Sequence, residues 1–278
     1  MMKKNLLLIL MCFVCGLVYA HDGLNFRNLD VKSGISDNYV RSVLRDQYGF
    51  MWFATLNGLN RYDGYQFKKY TTTQLGAYNN DIESIAEDAA GNIWIKGPVS
   101  YYIYDREQDK LENKIQPVLN KYGITGEVSY LTVDKEYNLW CTVMDTLFHY
   151  DFAKSKLHTF QLPGKEKMQQ VVCRRSCAYL LFSNGEIARI DSNFQHIRPE
   201  TRRTISSGLQ YNLYIDTVDR LWFYASHASG LQCYDTNQKQ WIDYVGRQEV
   251  TDALITAVMD DGDGNLWIGT DDKGVYIS

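Results

Sequence analysis

Asp46-Gln47-Tyr48-Gly49-Phe50-Met51-Trp52 returns twice along the chain, as Asp88-Ala89-Ala90-Gly91-Asn92-Ile93-Trp94 and as Asp261-Gly262-Asp263-Gly264-Asn265-Leu266-Trp267. The shared pattern is Asp-x-x-Gly-x-apolar-Trp. Two variants, Asp134 to Trp140 and Asp216 to Trp222, keep Asp and Trp six apart but carry Tyr137 and Asp219 in the glycine's place. Eleven residues after the tryptophan an aspartate closes the unit, at Asp63, Asp105 and Asp151. A degenerate fourth unit has Asp191 eleven after Leu180, which stands in for the tryptophan, and the fifth closes at Asp235, thirteen after Trp222, through a two-residue insertion around His227. The key positions 52, 94, 140, 180, 222 and 267 are therefore 40 to 46 residues apart. A period in the range of about 20 to 50 residues is the mark of a repeat architecture, and it takes precedence over any element-by-element reading.

Each piece of the unit has a physical reason. A short apolar strand precedes the aspartate, at 40–44, 82–86 and 255–259, and a second strand follows the turn and carries the tryptophan. The aspartate caps the turn with its own side chain, and glycine supplies a positive φ. Third and fourth strands, such as 58–62 and 66–70, complete a four-stranded module. The indole is expected to wedge between neighbouring modules and bury on the order of 200 Å². The recurrent tryptophans and aspartates thus read as packing and turn punctuation, and no catalytic residue is assigned. Period, strand pattern and turn chemistry together specify an all-β protein, a β-propeller of six four-stranded repeat units over residues 21–278. The last unit stops in its third strand, and residues 26–30, which look like the outer strand 67–70, are expected to supply its fourth strand. Closure of that kind removes free sheet edges.

Composition narrows the function. The 278 residues are 45% hydrophobic and 22% charged, which suits a globular chain with a sizeable core. A formal charge of −4 with no run of Lys or Arg, the pairs Arg174-Arg175 and Arg202-Arg203 being isolated, lacks the footprint of a nucleic-acid binder. Lys3-Lys4, an apolar run over 6–18 and Val18-Tyr19-Ala20 read as a secretory signal peptide over residues 1–20, with cleavage before His21. Nothing after Ala20 is apolar enough to cross a bilayer as a helix, so the mature region is expected to be exported and soluble. Four cysteines remain in it, Cys141, Cys173, Cys177 and Cys233, too scattered for a metal site. Cys173 and Cys177 flank a hairpin turn, where either a cross-strand bond or two buried free thiols would fit. No metal or cofactor is expected.

The phrases Ser33-Gly34-Ile35-Ser36-Asp37-Asn38 and Val40-Arg41-Ser42-Val43-Leu44-Arg45-Asp46, with the run from Gly49 through Trp52 to Gly64, resemble the two-component regulator propeller repeat. The resemblance is strong in units one, two and six and weak in unit four. It implies the N-terminal periplasmic sensor region of a Bacteroides-type hybrid two-component histidine kinase, a class that often controls polysaccharide-utilisation genes. In that family two seven-bladed propellers precede an immunoglobulin-like domain, a membrane helix, a kinase, a receiver and a DNA-binding domain. Six units against seven imply an incomplete ring in a longer inner-membrane sensor; a closed six-bladed ring is the alternative. The expected partners are an oligosaccharide ligand, a second propeller and a homodimer partner.

The turns between second and third strands and the links between units emerge on one face, where positions freed from packing can be tuned to a ligand. His227, at the insertion, beside Tyr224, is the first candidate there; Asn57, Asp271 and Tyr78 are further ones. Two other readings compete. One is a non-catalytic scaffold that binds a protein. The other is a propeller glycosidase or lyase, which fits less well: in the sialidase Asp box, aspartate and glycine are two apart, whereas here they are three apart. The non-repeat acids Glu83, Glu127, Glu186 and Glu249 show no pairing of the kind glycosidase chemistry needs.

Overall fold

The computed structural model describes residues 27–277 apart from 165, 175, 176, 192, 207, 243–249 and 251. The expected signal peptide and Phe26 lie outside the described residues. The fold is the all-β propeller that the repeat specifies, with six antiparallel sheets following one another in chain order. Blade 1 is Val40–Arg45, Met51–Thr55, Gly58–Tyr62 and Phe67–Tyr70. Blade 2 is Ser84–Glu87, Ile93–Lys96, Tyr101–Asp105 and Lys110–Glu112, and blade 3 is Val128–Val133, Leu139–Val143, Thr146–Asp151 and Lys156–Gln161. Met168–Arg174, Cys177–Phe182, Glu186–Ile190 and Ile197–Arg202 form blade 4, and Tyr211–Ile215, Arg220–Ala225, Gln232–Asp235 and Gln240–Ile242 form blade 5. Among the described residues blade 6 has three strands, Ile255–Asp260, Leu266–Thr270 and Val275–Ile277. Among the described residues the helical elements are α1, Gln116–Lys121, in the link between blades 2 and 3, and two short 3-10 turns.

The Asp-to-Trp spacing has a cause that the sequence does not spell out. Asp46 accepts the backbone N–H groups of Tyr48 and Phe50 on Oδ1, at 3.0 and 2.9 Å, and the Trp52 indole N–H on Oδ2 at 2.9 Å. The same latch closes Asp88 on Trp94, Asp134 on Trp140 and Asp216 on Trp222 at 2.8 Å, and Asp261 on Trp267 at 3.0 Å. One carboxylate thus caps the turn and satisfies a buried indole. Gly49, Gly91 and Gly264 sit at φ between 81° and 101°, and Tyr137 and Asp219 hold the same left-handed site at φ 63°. The glycine is therefore dispensable where the turn itself is held.

Two features differ from the sequence reading, and one decides between its alternatives. In blade 4 Val171 pairs with Leu180, whereas Val43, Ile85, Leu131, Leu213 and Val258 pair with the residue after the tryptophan. The occupant of the tryptophan site is therefore Tyr179, not Leu180. The turn between its second and third strands is one residue longer: Tyr179 pairs with Arg189, ten residues on, where Trp52 pairs with Arg61 and Trp140 with His149, nine on, so a count of eleven back from Asp191 falls one residue late. Second, Cys173 packs toward blade 3 and Cys177 toward blade 5, on opposite faces of the sheet, and both are free thiols. Third, residues 27–30 carry no strand: Asp30 instead accepts from the Ser33 N–H and caps a 3-10 turn at Val31–Ser33.

Five apolar clusters fill the seams between successive blades, from blades 1 and 2 through blades 5 and 6. Among the described residues, none joins blade 6 to blade 1. At the position before the aspartate that packs on the preceding blade, Ile85, Leu131, Val171, Leu213 and Val258 are buried, whereas Val43 is 54% exposed. Trp267 is likewise only half buried, where Trp52, Trp94, Trp140 and Trp222 are at most 2% exposed. The described residues thus form an arc whose two end faces, around Val43 and Trp267, are open.

Candidate functional site

The links between blades place the candidate residues on one face, opposite the Asp turns. The insertion after Tyr224 turns at His227, whose φ is 56°. Its backbone reaches across to blade 6: His227 N–H donates to Ile255 C=O at 2.9 Å, and Ile255 N–H returns to Ala228 C=O at 3.0 Å. On the far side Asp271 N–H donates to Leu254 C=O at 2.9 Å. The two-residue insertion is therefore a backbone strap over the seam between blades 5 and 6, which gives it a structural reason. It also brings His227 Nδ1 to 2.5 Å from Asp271 Oδ2, with the two side chains 63% and 39% exposed.

With a carboxylate on Nδ1, the Nε2 edge of His227 is left for a partner in solvent. A hydroxyl, amide or carbonyl group can hydrogen-bond there. The other candidates are placed differently. Tyr224 lies in the apolar seam between blades 5 and 6 at 9% exposure, so its ring packs the core and offers no face to a ligand. Tyr78 is fully exposed in the link between blades 1 and 2. Asn57, exposed in the same region, accepts from Asn80 Nδ2 at 3.4 Å, and Asn80 Oδ1 in turn holds the N–H groups of Thr72 and Thr73. Among the described residues no hydrogen bond joins Asn57 or Tyr78 to the His227–Asp271 pair. Val99 and Met144, at 90% and 89% exposure, add apolar surface to this face.

No group of three or more metal-ligating side chains occurs among the described residues. Glu83 is paired with Lys96 at 2.7 Å, and Glu249 lies outside the described residues. No helix among the described residues is long and apolar enough to cross a membrane.

The opposite face carries chemistry that the repeat count overlooked. Across blade 3, Thr132, Trp140, His149 and His158 form one cross-strand row. The His149 ring stacks on Trp140 at 4.0 Å between centroids, and Phe194, from the third turn of blade 4, covers it at 4.8 Å. His149 is 2% exposed, and burial first, then the neighbouring His158, push its pKa down to about 4. The equivalent row of blade 1 is Leu44, Trp52, Arg61 and Lys68, and there Asp109 of blade 2 takes the place of Phe194. Asp109 receives Arg61 at 3.0 Å, Lys68, and the hydroxyls of Tyr70 and Tyr104 at 2.6 and 2.5 Å. Although burial opposes it, these donors hold the Asp109 carboxyl well below the usual carboxylate range. The signal was present in the sequence: His149 follows Trp140 by nine residues, as Arg61 follows Trp52.

The two-component regulator propeller family matches residues 34–57 and 250–272, so the chain carries that repeat in its first and last units. No curated protein matches the sequence. Among solved structures, the extracellular domain of the hybrid two component system BT3049 from B. thetaiotaomicron is 21% identical with a TM-score of 0.62, covering 90% of this chain and 35% of its own. The corresponding domain of BT4673 from the same organism is 20% identical with a TM-score of 0.60, covering 93% and 36%. Virginiamycin B lyase from Staphylococcus aureus, at 15% identity and a TM-score of 0.58, covers 92% of this chain and 84% of its own. At these identities the likeness is one of fold. The chain spans about a third of the length of the two sensor domains, at 35% and 36%.

Proposed function

We propose that this chain is the ligand-sensing propeller region of an exported, periplasmic two-component sensor that responds to oligosaccharides and regulates polysaccharide utilisation. The observation that carries the reading is the regulator propeller repeat in units one and six, on a fold shared over 90% of the chain with an extracellular sensor domain. The chain acts by binding, and the kinase belongs to a longer polypeptide. On the loop face the His227–Asp271 pair supplies a hydrogen-bonding edge, and Tyr78 an exposed ring of the kind that stacks on sugars. Binding there would shift the population of the receptor's conformations by its differential affinity for them.

Calorimetric titration of the purified chain with a panel of oligosaccharides tests this reading. Binding by the wild type, weakened about tenfold or more by His227→Ala, supports it, and no heat from any member of the panel refutes it. The exposed Val99 and Met144 favour a second reading, a scaffold face for a protein partner. Hydrolysis of the panel in the same titration would favour a glycosidase or lyase instead.

A further inference from the structure

His149 lies in a cleft of about 450 Å³ between blades 3 and 4, and both of its ring nitrogens are buried without a hydrogen-bond partner. A neutral imidazole tolerates that situation better than a charged one, which needs a counter-charge or water. From blade 3 the cleft is faced by the carboxyls of Asp134, Glu136 and Asp151, the ammonium groups of Lys154 and Lys156, and His158. Blade 4 contributes the Cys173 thiol, Asn193 and the Phe194 ring.

The nearby carboxylates are already engaged. Asp151 holds Lys154 at 2.9 Å. Asp134 Oδ2, 4.0 Å from His149 Nε2, holds the Trp140 indole N–H at 2.8 Å and Asn138 Nδ2 at 3.4 Å. Asp151 also draws a proton toward His149 but is held by Lys154, so the carboxylate at 4.0 Å that an imidazolium would recruit is Asp134, the latch on which Trp140 depends.

We propose that the seam between blades 3 and 4 is an acid-sensitive joint: a proton taken by His149 competes with Trp140 for Asp134 and opens the seam, while the seam between blades 1 and 2 stays closed. The two seams share one architecture with opposite chemistry. In the first, permanent cations, Arg61 and Lys68, meet an anion, Asp109. In the other, two imidazoles meet a phenyl ring, Phe194.

The sign follows from linkage. His149 has a folded value near 4 against an ordinary 6.5, so the opened state binds the proton more tightly and acid favours opening between those two values. His158, pushed down by burial and by Lys156, acts in the same sense. Asp134 and Glu136, both pushed up by burial, take protons in the closed state and oppose opening at the acid end. The Asp109 clamp is lost only as pH falls through the low folded value of its carboxyl, so it holds throughout the window. For one proton the opening constant rises about 25-fold from pH 7.5 to pH 5.

Amide hydrogen exchange of the wild type at pH 7.5, 6.5, 5.5 and 5.0, corrected for intrinsic rates, tests the joint. Peptides covering 139–161 and 193–198 are expected to lose protection by about 25-fold, against less than threefold in 51–70 and 101–112. His149→Phe keeps an aromatic ring in the stack and removes that proton site, so its 139–161 peptides should lose most of the excess acid response, with His158 retaining its own smaller part. An NMR titration of the His149 imidazole in the wild type stands independently of whether that variant folds. A midpoint below about 5 supports the joint. A midpoint at 6.5 or above, or equal loss of protection in the two seams, overturns it.

Discussion

Asp88 and Asp261 hold the same four donors in different surroundings, so replacing each with alanine measures what burial adds to the latch. Asp88 accepts Ala90 N–H and Asn92 N–H at 3.0 Å, the Asn92 side-chain amide at 2.8 Å and the Trp94 indole at 2.8 Å. Asp261 accepts Asp263 N–H at 2.9 Å, Asn265 N–H at 3.2 Å, the Asn265 amide at 2.7 Å and the Trp267 indole at 3.0 Å. Asp88 is 2% exposed, whereas Asp261 is exposed, so water replaces the lost acceptor only in blade 6. Each net hydrogen bond is worth about 1 kcal/mol, and a buried donor left stranded costs about 1–3 kcal/mol. Burial raises the Asp88 pKa and so discounts its carboxylate, which leaves a loss of about 3 kcal/mol for Asp88→Ala. For a chain of this size that corresponds to a fall in Tm of roughly 6–12 °C. Scanning calorimetry of the two variants beside the wild type reads it, with a much smaller shift expected for Asp261→Ala. Equal shifts, or an Asp88→Ala shift under about 2 °C, would refute burial as the source of the latch's strength.

Other expectations follow from the same geometry. Tyr179→Phe should fold with little loss, while Tyr179→Ala should cost about 3–5 kcal/mol by urea unfolding, because the ring fills the tryptophan site between blades 4 and 5. Asp109→Asn should weaken the seam between blades 1 and 2 by about 1 kcal/mol, read as faster exchange of the amides in 67–70 and 110–112, since its pairs with Arg61 and Lys68 are partly exposed. The Asp261 carboxyl is held down to about 2 by the indole of Trp267 and the amide of Asn265. Its contribution to stability should persist above pH 4 and disappear as pH falls through about 2, and a carbon-13 carboxyl titration would locate the midpoint. Alkylation of denatured, unreduced protein should label Cys141, Cys173, Cys177 and Cys233, because Cys173 and Cys177 face different seams.

Much of the architecture was legible because a repeat reports the same packing problem several times. Five Asp–Trp pairs six apart mark five turns, and the tryptophan's place on the second strand follows from them. In blade 4, which lacks the Asp turn, the count has to run back from Asp191 through a turn one residue longer than that of blades 1 to 3, and only strand pairing gives the register there. On the candidate face, His227 was legible as an insertion. Its partner Asp271 was named separately, 44 residues away, and only the strap between blades 5 and 6 joins them. Tyr224 looked available because it neighbours His227 in sequence, but strand alternation turns it inward.

The sequence by itself determined the module, its period, its turn residues and the burial of its indoles, since these are local or repeated and each copy corroborates the others. Tertiary structure alone decided which rows face each other across a seam. Arg61 meets Asp109 in one and His149 meets Phe194 in another, because those contacts join residues 48 and 45 apart, whose approach is set by the stacking of one sheet on the next.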